Sequence, residues 1–397
     1  MKKRLFLIPA IIATCCIVGI AGCSSGSTAV KLALDSNWYN YTKTKGIQDY
    51  FNKDSGSEYY SPEILHYDVT LDDSEDVAYN ASYKVNYEGG KYTTTFYATT
   101  FDTGTLVYDS DDYRETYSEA GTITAYYYKT ELTFDAVTFT YTGTDATGTD
   151  ADTATYDGDK AITECYFLSC EDYLRPLYSR QEIVSHSPAV YTPGSIDEAV
   201  NFVDCTYTTY YTYDGYKATV EYADNLDSAN NDTTAYDLDT DDTFFDNSSM
   251  EVSIRAMSDL SSSLSQSVNL FVPKAGMLTY YYIGEDTAMD DDALASVSAV
   301  MAEGGLFATA TTTDSDGNVT ANDTVGTVAV SVEGSGNMAG VYQTYWFTEI
   351  ENRSNNTGRA TMLAISSPLA YNLGTLNYTL SSIESTLWDG VPNEATN

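Results

Sequence analysis

Thirty-seven of the 397 residues are tyrosine, and most stand among threonines and valines rather than among leucines. Tyr92-Thr93-Thr94-Thr95-Phe96-Tyr97 and Thr124-Ala125-Tyr126-Tyr127-Tyr128 are typical runs. Aromatic and β-branched residues suit a pleated, half-buried surface. Tyrosine serves either face of such a surface, because its ring packs while its hydroxyl meets water. The pattern predicts a mainly β chain, an antiparallel sandwich or open sheet with a few short helices, arranged as two β-rich regions. It speaks against a helical bundle and against alternating β and α units.

Turn residues divide the runs into strand pairs. Ser82 to Tyr87 is followed by Glu88-Gly89-Gly90 and then Lys91 to Thr100. Cys205 to Tyr213 is followed by Asp214-Gly215 and then Tyr216 to Tyr222. Asp-Gly between aromatic runs is a hairpin signal, since a type I′ turn needs positive φ at both central residues. Thr122 to Phe134 with Ala136 to Tyr141 reads as another pair. So do Leu306 to Thr312 with Thr327 to Val332, around Asp314-Ser315-Asp316-Gly317-Asn318, while Thr361 to Ile365 and Leu373 to Ile383 alternate as strands.

Helix signals are few. Ser195-Ile196-Asp197-Glu198 has capping-box spacing and predicts a short helix over Ile196 to Val203. Asp290-Asp291-Asp292 precedes Leu294, Val297 and Met301 on one helical face, and Gly304-Gly305 stops that helix. A short helix is also expected within residues 43–52, and Ile254 to Leu264 reads as helix or strand. Thr144 to Asp159 and Asp224 to Asn247 are low in complexity and read as solvated loops. The second marks a boundary between a Tyr/Thr-rich domain, 59–247, and a second β-rich region, 248–390, with a flexible tail at 391–397.

The N-terminus carries a different message. Lys2, Lys3 and Arg4 precede a run from Leu5 to Ile20 that is almost wholly apolar, then Ala21, Gly22 and Cys23. This is the layout of an export signal, and its apolar run is short for a membrane span. Ile20-Ala21-Gly22-Cys23 resembles the lipobox of bacterial lipoproteins. The resemblance covers only this leader. It implies cleavage after residue 22, a diacylglyceryl thioether on Cys23, and attachment to a cell membrane or outer membrane on its extracytoplasmic side. Two acyl chains give a stable hold where one gives only a marginal one. Residues 23–58 then form anchor and tether, beginning with the small polar run Ser24 to Thr28.

The anchor changes the meaning of charge and cysteine count. The chain carries −39, and losing a leader with three cations and no acid takes the mature part to −42. Such a body repels nucleic acid and anionic headgroups, so it stands in solvent on its tether, with no nucleic-acid partner expected. Cys15 and Cys16 leave with the leader and Cys23 takes lipid. Cys165, Cys170 and Cys205 remain, which allows one disulfide at most.

Little points to chemistry. His66 and His186 are the only histidines. Ser185-His186-Ser187 lacks a nucleophile elbow, and His66 reads as a strand residue. Asp237, Asp239 and Asp241 alternate as in a calcium loop, but Asp242 and Ser248 stand where an EF-hand needs Gly and Glu, so a solvated loop is the plainer reading. Among 58 acids some pair always suits glycoside hydrolysis, so that signal has no specificity. No phosphate loop or dinucleotide fingerprint occurs, and no cofactor is expected.

Aromatic and guanidinium groups remain as binding candidates. Trp38, Trp346 and Trp388 add flat faces to the tyrosines, of the kind that stack on sugars or partner side chains. Arg175 and Arg180 lie in a seven-residue stretch without an acid, able to clamp an anion or to pair internally. The expected function is non-enzymatic: a membrane-anchored extracytoplasmic protein with a binding or structural envelope role, its partner a glycan or a surface protein. The alternatives are an envelope lipid or polymer carrier, a solute-binding lipoprotein serving a transporter, and a surface glycoside hydrolase.

Overall fold

The computed structural model describes residues 63–73, 83–102, 122–141, 152–169, 174–188, 200–212, 217–224, 232–237, 244–257, 260–272, 276–304, 307, 310–313, 319–334, 342–349, 360–369 and 373–384. The expectations for residues 1–58, 391–397, Trp38, Trp388, Cys170, Asp239 and Asp241 lie outside these residues. The chain is mainly β. Its first eleven strands are β1 (Glu63–Asp72), β2 (Tyr83–Glu88), β3 (Gly90–Asp102), β4 (Thr122–Thr133), β5 (Ala136–Tyr141), β6 (Asp152–Asp157), β7 (Lys160–Ser169), β8 (Leu174–Pro188), β9 (Val200–Thr212), β10 (Lys217–Asp224) and β11 (Asp232–Asp237). Then come β12 (Phe244–Asp246), a 3-10 turn (Asn247–Ser249), α1 (Met250–Arg255), β13 (Ser265–Val272), β14 (Gly276–Glu285) and α2 (Asp291–Glu303). The last strands are β15 (Ala310–Thr313), β16 (Val319–Asn322), β17 (Thr327–Gly334), β18 (Tyr342–Thr348), β19 (Met362–Pro368) and β20 (Thr375–Glu384).

Fifteen of these strands form one sheet, in the order β11-β10-β9-β8-β7-β4-β3-β1-β20-β19-β18-β17-β14-β13-β12. It takes strands from both sides of residue 247. Its pairings are antiparallel except for the parallel β12–β13 edge. Strand twist curls so wide a sheet until its ends approach. Tyr236 on β11 packs against Phe271 on β13, with ring centroids 5.4 Å apart. The sheet is therefore nearly closed, by side chains rather than by a ladder.

Three long strands bend at a shared corner. β2, β5 and β6 form a small antiparallel sheet, and their continuations β3, β4 and β7 lie side by side in the large one. Asp135 N–H donates to the Glu88 carbonyl at 2.7 Å and Phe134 N–H to the Asp159 carbonyl at 2.9 Å, which ties the bends together. Gly89 has φ +65°, and a Cβ at Gly158 would fall on the Phe134 carbonyl. This corrects the expected hairpins at Gly89-Gly90 and between 122–134 and 136–141. The turn residues are present, but each redirects a strand into another sheet instead of reversing it.

The small sheet turns back over the same core, with Val85, Val137 and Phe139 buried. Other expectations hold: β9 and β10 form the hairpin around Asp214-Gly215, and the two strands expected near the end are β19 and β20, which the structure pairs with each other. β15 pairs with β16 rather than with β17. Asp290 caps α2, accepting from the backbone N–H groups of Asp292 and Ala293, while Val297 and Met301 are buried.

The expected helix over Ile196 to Val203 is contradicted where it is described. Val200 to Val203 begin β9 and pair with β8, from Pro188↔Val200 to Tyr178↔Tyr210. A long ladder outweighs a local capping pattern. The two stretches read as loops also hold strands, β6 in the first and β11 and β12 in the second. These are sheet edges, where Asp- and Thr-rich sequence guards against further pairing.

Candidate functional site

Two arrangements of side chains stand out, one inside the curled sheet and one on its outer face. The inner one is the segment 244–257, which threads the interior and meets strand after strand. Asp246 accepts from the Ser179 hydroxyl, and Ser248 Oγ accepts from Gln181 Nε2 at 3.2 Å. Glu251 accepts from the Tyr92 hydroxyl at 2.7 Å and from that of Tyr128. Ser253 meets the Tyr282 hydroxyl at 3.3 Å, and Arg255 pairs with Glu63. All of these groups are buried.

Burial of this kind holds a fold together rather than receiving a ligand. Desolvation raises the Glu251 carboxyl above the usual carboxylate range, against two tyrosine hydroxyls that lower it. Met250, Val252 and Ile254 of the segment share one core with buried rings such as Tyr67, Phe96, Tyr282 and Phe347. Among the described residues no group of three His, Cys, Asp or Glu side chains is placed to hold a metal. No described helix is long and apolar enough to cross a membrane.

The outer arrangement follows from strand parity and register. On β3, on β7 and on β8 from residue 178 onward buried and part-exposed positions alternate, while on β4 residues 125–128 are all buried and the alternation holds from residue 128 on. Tyr92, Thr94, Phe96, Tyr126, Tyr128, Cys165 and Gln181 point inward, so Tyr97, Tyr127, Tyr166 and Tyr178 point outward. The register then aligns them: Tyr97↔Tyr127, Tyr127↔Tyr166, Tyr166↔Tyr178, and Tyr178↔Tyr210 on β9. Five adjacent strands thus carry a tyrosine at one level. A bulge between Tyr166 and Phe167 sets the β8 register that brings Tyr178 into line.

Ring centroids along this ladder are 4.9, 4.9 and 6.1 Å apart, with interplanar angles of 45°, 58° and 56°. Neighbouring strands are only about 4.8 Å apart, too close for rings to lie side by side in one plane, so they overlap like shingles. They lean along the strands, because the Tyr127 hydroxyl donates to Glu164 Oε2 at 3.0 Å, one row over. Desolvation, then the Glu164 charge, raises the Tyr97 and Tyr127 hydroxyls above the ordinary phenol range. Desolvation, Tyr97 and Glu164 push Tyr166 up to about 12.

The next rows are charged and balanced. Lys129, Glu164 and Arg180 stand directly opposite one another. Lys129 pairs with Glu131 at 2.8 Å, Lys160 with Glu182 at 2.6 Å, and Lys91 with Asp68 at 2.5 Å. Arg180 reaches Glu182 at 3.1 Å and Glu164 at 3.9 Å. Four cations meet four carboxylates here, on a chain whose total is −39.

The sequence candidates divide accordingly. Arg180 joins the outer patch, paired internally. Arg175 lies on β8, but its side chain is outside the described residues, as are those of Asp237, Cys205 and His186. Trp346 lies on β18, seven strands from β8, packs against the core, and donates its indole N–H to the Thr287 carbonyl at 3.1 Å. Cys165 is free and buried, which agrees with the reading that at most one disulfide forms. The ladder itself was not singled out residue by residue. Its signal was a tyrosine at outward parity in each strand.

No family model matches the chain, and no curated protein matches it. Among solved structures, a β-barrel-like protein of Domain of Unknown Function DUF1849 from Brucella abortus is similar at 12% identity and a TM-score of 0.32, over 83% of this chain and 99% of that one.

Proposed function

We propose that this chain is a lipid-anchored extracytoplasmic binding protein without catalytic turnover, whose receptor face is the outer tyrosine ladder of β3, β4, β7 and β8. The lipobox-like leader ending at Cys23 supports the anchor. The single observation that carries the binding role is the alignment of Tyr97, Tyr127, Tyr166 and Tyr178 at one level on the outer face. Aromatic rings there are not needed to fill the core, which already holds its own stacked set in Phe96, Tyr126 and Phe167. Tyrosine is favoured at recognition surfaces, because it gives a large rigid contact with a polar tip.

The test is ladder-dependent binding to envelope preparations from the source cell. Full-length protein in detergent is compared with Tyr166→Ala and Tyr178→Ala. Each change removes two cross-strand pairs, at about 0.2–1 kcal/mol apiece, so the fold survives. Binding that falls in both variants but not in Tyr281→Ala, an exposed tyrosine on β14, supports the reading. Equal binding by all four proteins overturns it. For the anchor, a fatty-acid label should enter the wild-type chain and fail to enter Cys23→Ala.

A further inference from the structure

We infer that the ligand of this face is an uncharged, hydroxyl-rich polysaccharide chain, lying across the strands along the ladder. This rests on the reading of the ladder as a receptor face and adds the chemical class of what it receives. Three observations carry it.

The first is geometric. The rings of Tyr97, Tyr127, Tyr166 and Tyr178 form a line perpendicular to the strands, with steps of 4.9, 4.9 and 6.1 Å. A line suits a polymer better than a compact solute. Tyr97, Tyr166 and Tyr178 stay part-exposed while Tyr127 is covered by its neighbours, and the apolar C–H face of a sugar packs on such exposed rings.

The second is chemical. Beside the ladder runs the row Lys129–Glu164–Arg180, alternating donor and acceptor groups at the spacing of the strands. A sugar hydroxyl both donates and accepts. It can give a hydrogen bond to a carboxylate and take one from a neighbouring ammonium or guanidinium. Each charged group keeps its partner while doing so, and no net charge is left exposed to an uncharged ligand.

The third is electrostatic. The whole chain stands at −39, so anionic polymers and a second copy of the chain are repelled at long range. A cationic peptide would be drawn to the acid-rich remainder of the surface, not to a patch where four cations and four carboxylates cancel. An uncharged chain meets neither penalty, and its binding should depend little on salt.

Affinity electrophoresis of the full-length protein in detergent tests this, in gels containing a neutral linear β-glucan, a neutral xylan or mannan, or an anionic polyuronate. At least one neutral gel should retard the wild-type protein, with little change between low and high salt. Tyr166→Ala and Tyr178→Ala should each weaken the retardation about tenfold. Arg180→Gln should weaken it less, and Tyr281→Ala should match wild type. Selective retardation by the polyuronate, or none in any neutral gel, overturns the inference. If protease-sensitive, ladder-dependent binding to envelopes persists in that case, the ligand is a protein and the receptor reading stands. If ladder-dependent binding is absent everywhere, both fail.

Discussion

Arg255 and Glu63 form a two-point ion pair in the interior, Nη1 to Oε1 at 2.5 Å and Nη2 to Oε2 at 2.9 Å, between residues 192 apart in sequence. Arg255 also donates from Nε to the Ala360 carbonyl at 2.5 Å. One side chain thus joins α1, the first strand and the approach to β19. Removing one partner leaves the other charge buried and unpaired, at about 3–5 kcal/mol. Arg255→Met should show that loss in urea unfolding. The double change with Glu63→Met should recover much of it, because both charges are then gone. A double variant as unstable as the single one would deny the pair this role.

The Glu251 carboxyl has the opposite sign of pH dependence from a surface carboxylate. Its folded-state pKa is raised by burial. The folded chain therefore holds that proton to higher pH than the unfolded one, and this contribution is full below the unfolded value and fades as pH rises through the folded one. Glu182 runs the other way. Its pKa is lowered, first by its hydrogen bond from Lys160, so its contribution is present at neutral pH and lost as pH falls through that lowered value. Glu251→Gln should flatten the decline of stability in the pH window above the ordinary carboxylate range. An unchanged slope in denaturant titrations would show that Glu251 does not titrate across that window.

Alkali should unfold the chain through its buried phenols. Tyr67, Tyr128 and Tyr282 are raised by desolvation above the ordinary phenol range. Stability they contribute is complete below about pH 10 and lost above it, as the unfolded chain begins to ionise. Absorbance of ionised tyrosine should rise in step with loss of the strand signal in circular dichroism. Complete ionisation before unfolding would contradict the burial.

The corner glycines should separate sharply from an ordinary glycine. At Gly158 a Cβ would fall on the Phe134 backbone carbonyl, which cannot move without breaking the Phe134–Asp159 bond. Gly158→Ala should cost at least about 3 kcal/mol. At Gly304, which closes α2, the nearest atom to a Cβ is 3.4 Å away and φ is −72°. Gly304→Ala should change stability by less than about 1 kcal/mol. Thermal unfolding of the two variants makes the comparison.

Cys165 should be silent until the fold opens. Burial, then the nearby Asp246 charge, raises its thiol, and Sγ donates to the Ser248 carbonyl at 3.6 Å. Thiolate is the reactive form, so a thiol reagent at pH 8 should label residue 165 only in denaturant. Mapping the label by peptide mass checks this directly.

Strand content, the capped helix α2 and the hairpin at Asp214-Gly215 are readable along the chain because each rests on neighbours in sequence. Tyrosine and threonine alternate at strand period, Asp290 sits one residue before a helical face, and Asp-Gly suits a tight turn. The corner at Gly89 was misread for the same reason. Its residues match a hairpin, and only the pairing of β2 with β5 and of β3 with β1 and β4 shows a strand passing from one sheet to another. The loop reading of 144–159 failed because an edge strand needs one paired side and little burial, which polar sequence supplies.

The candidate site was legible only in its parts. Tyr97, Tyr127, Tyr166 and Tyr178 come from four strands with unrelated sequence spacing, and Lys129, Glu164 and Arg180 from three of them. Local chemistry determined that each of these residues lies on a strand and which neighbours share its face. Their meeting at one level was decided by register. Register depends on burying a common inner face against the segment 244–257 and on the bulge at Tyr166, and both are properties of the assembled sheet. The short-range code of period and turn carries no account of which strands will be neighbours. That is settled by long-range burial, once the curled sheet has closed on its own interior.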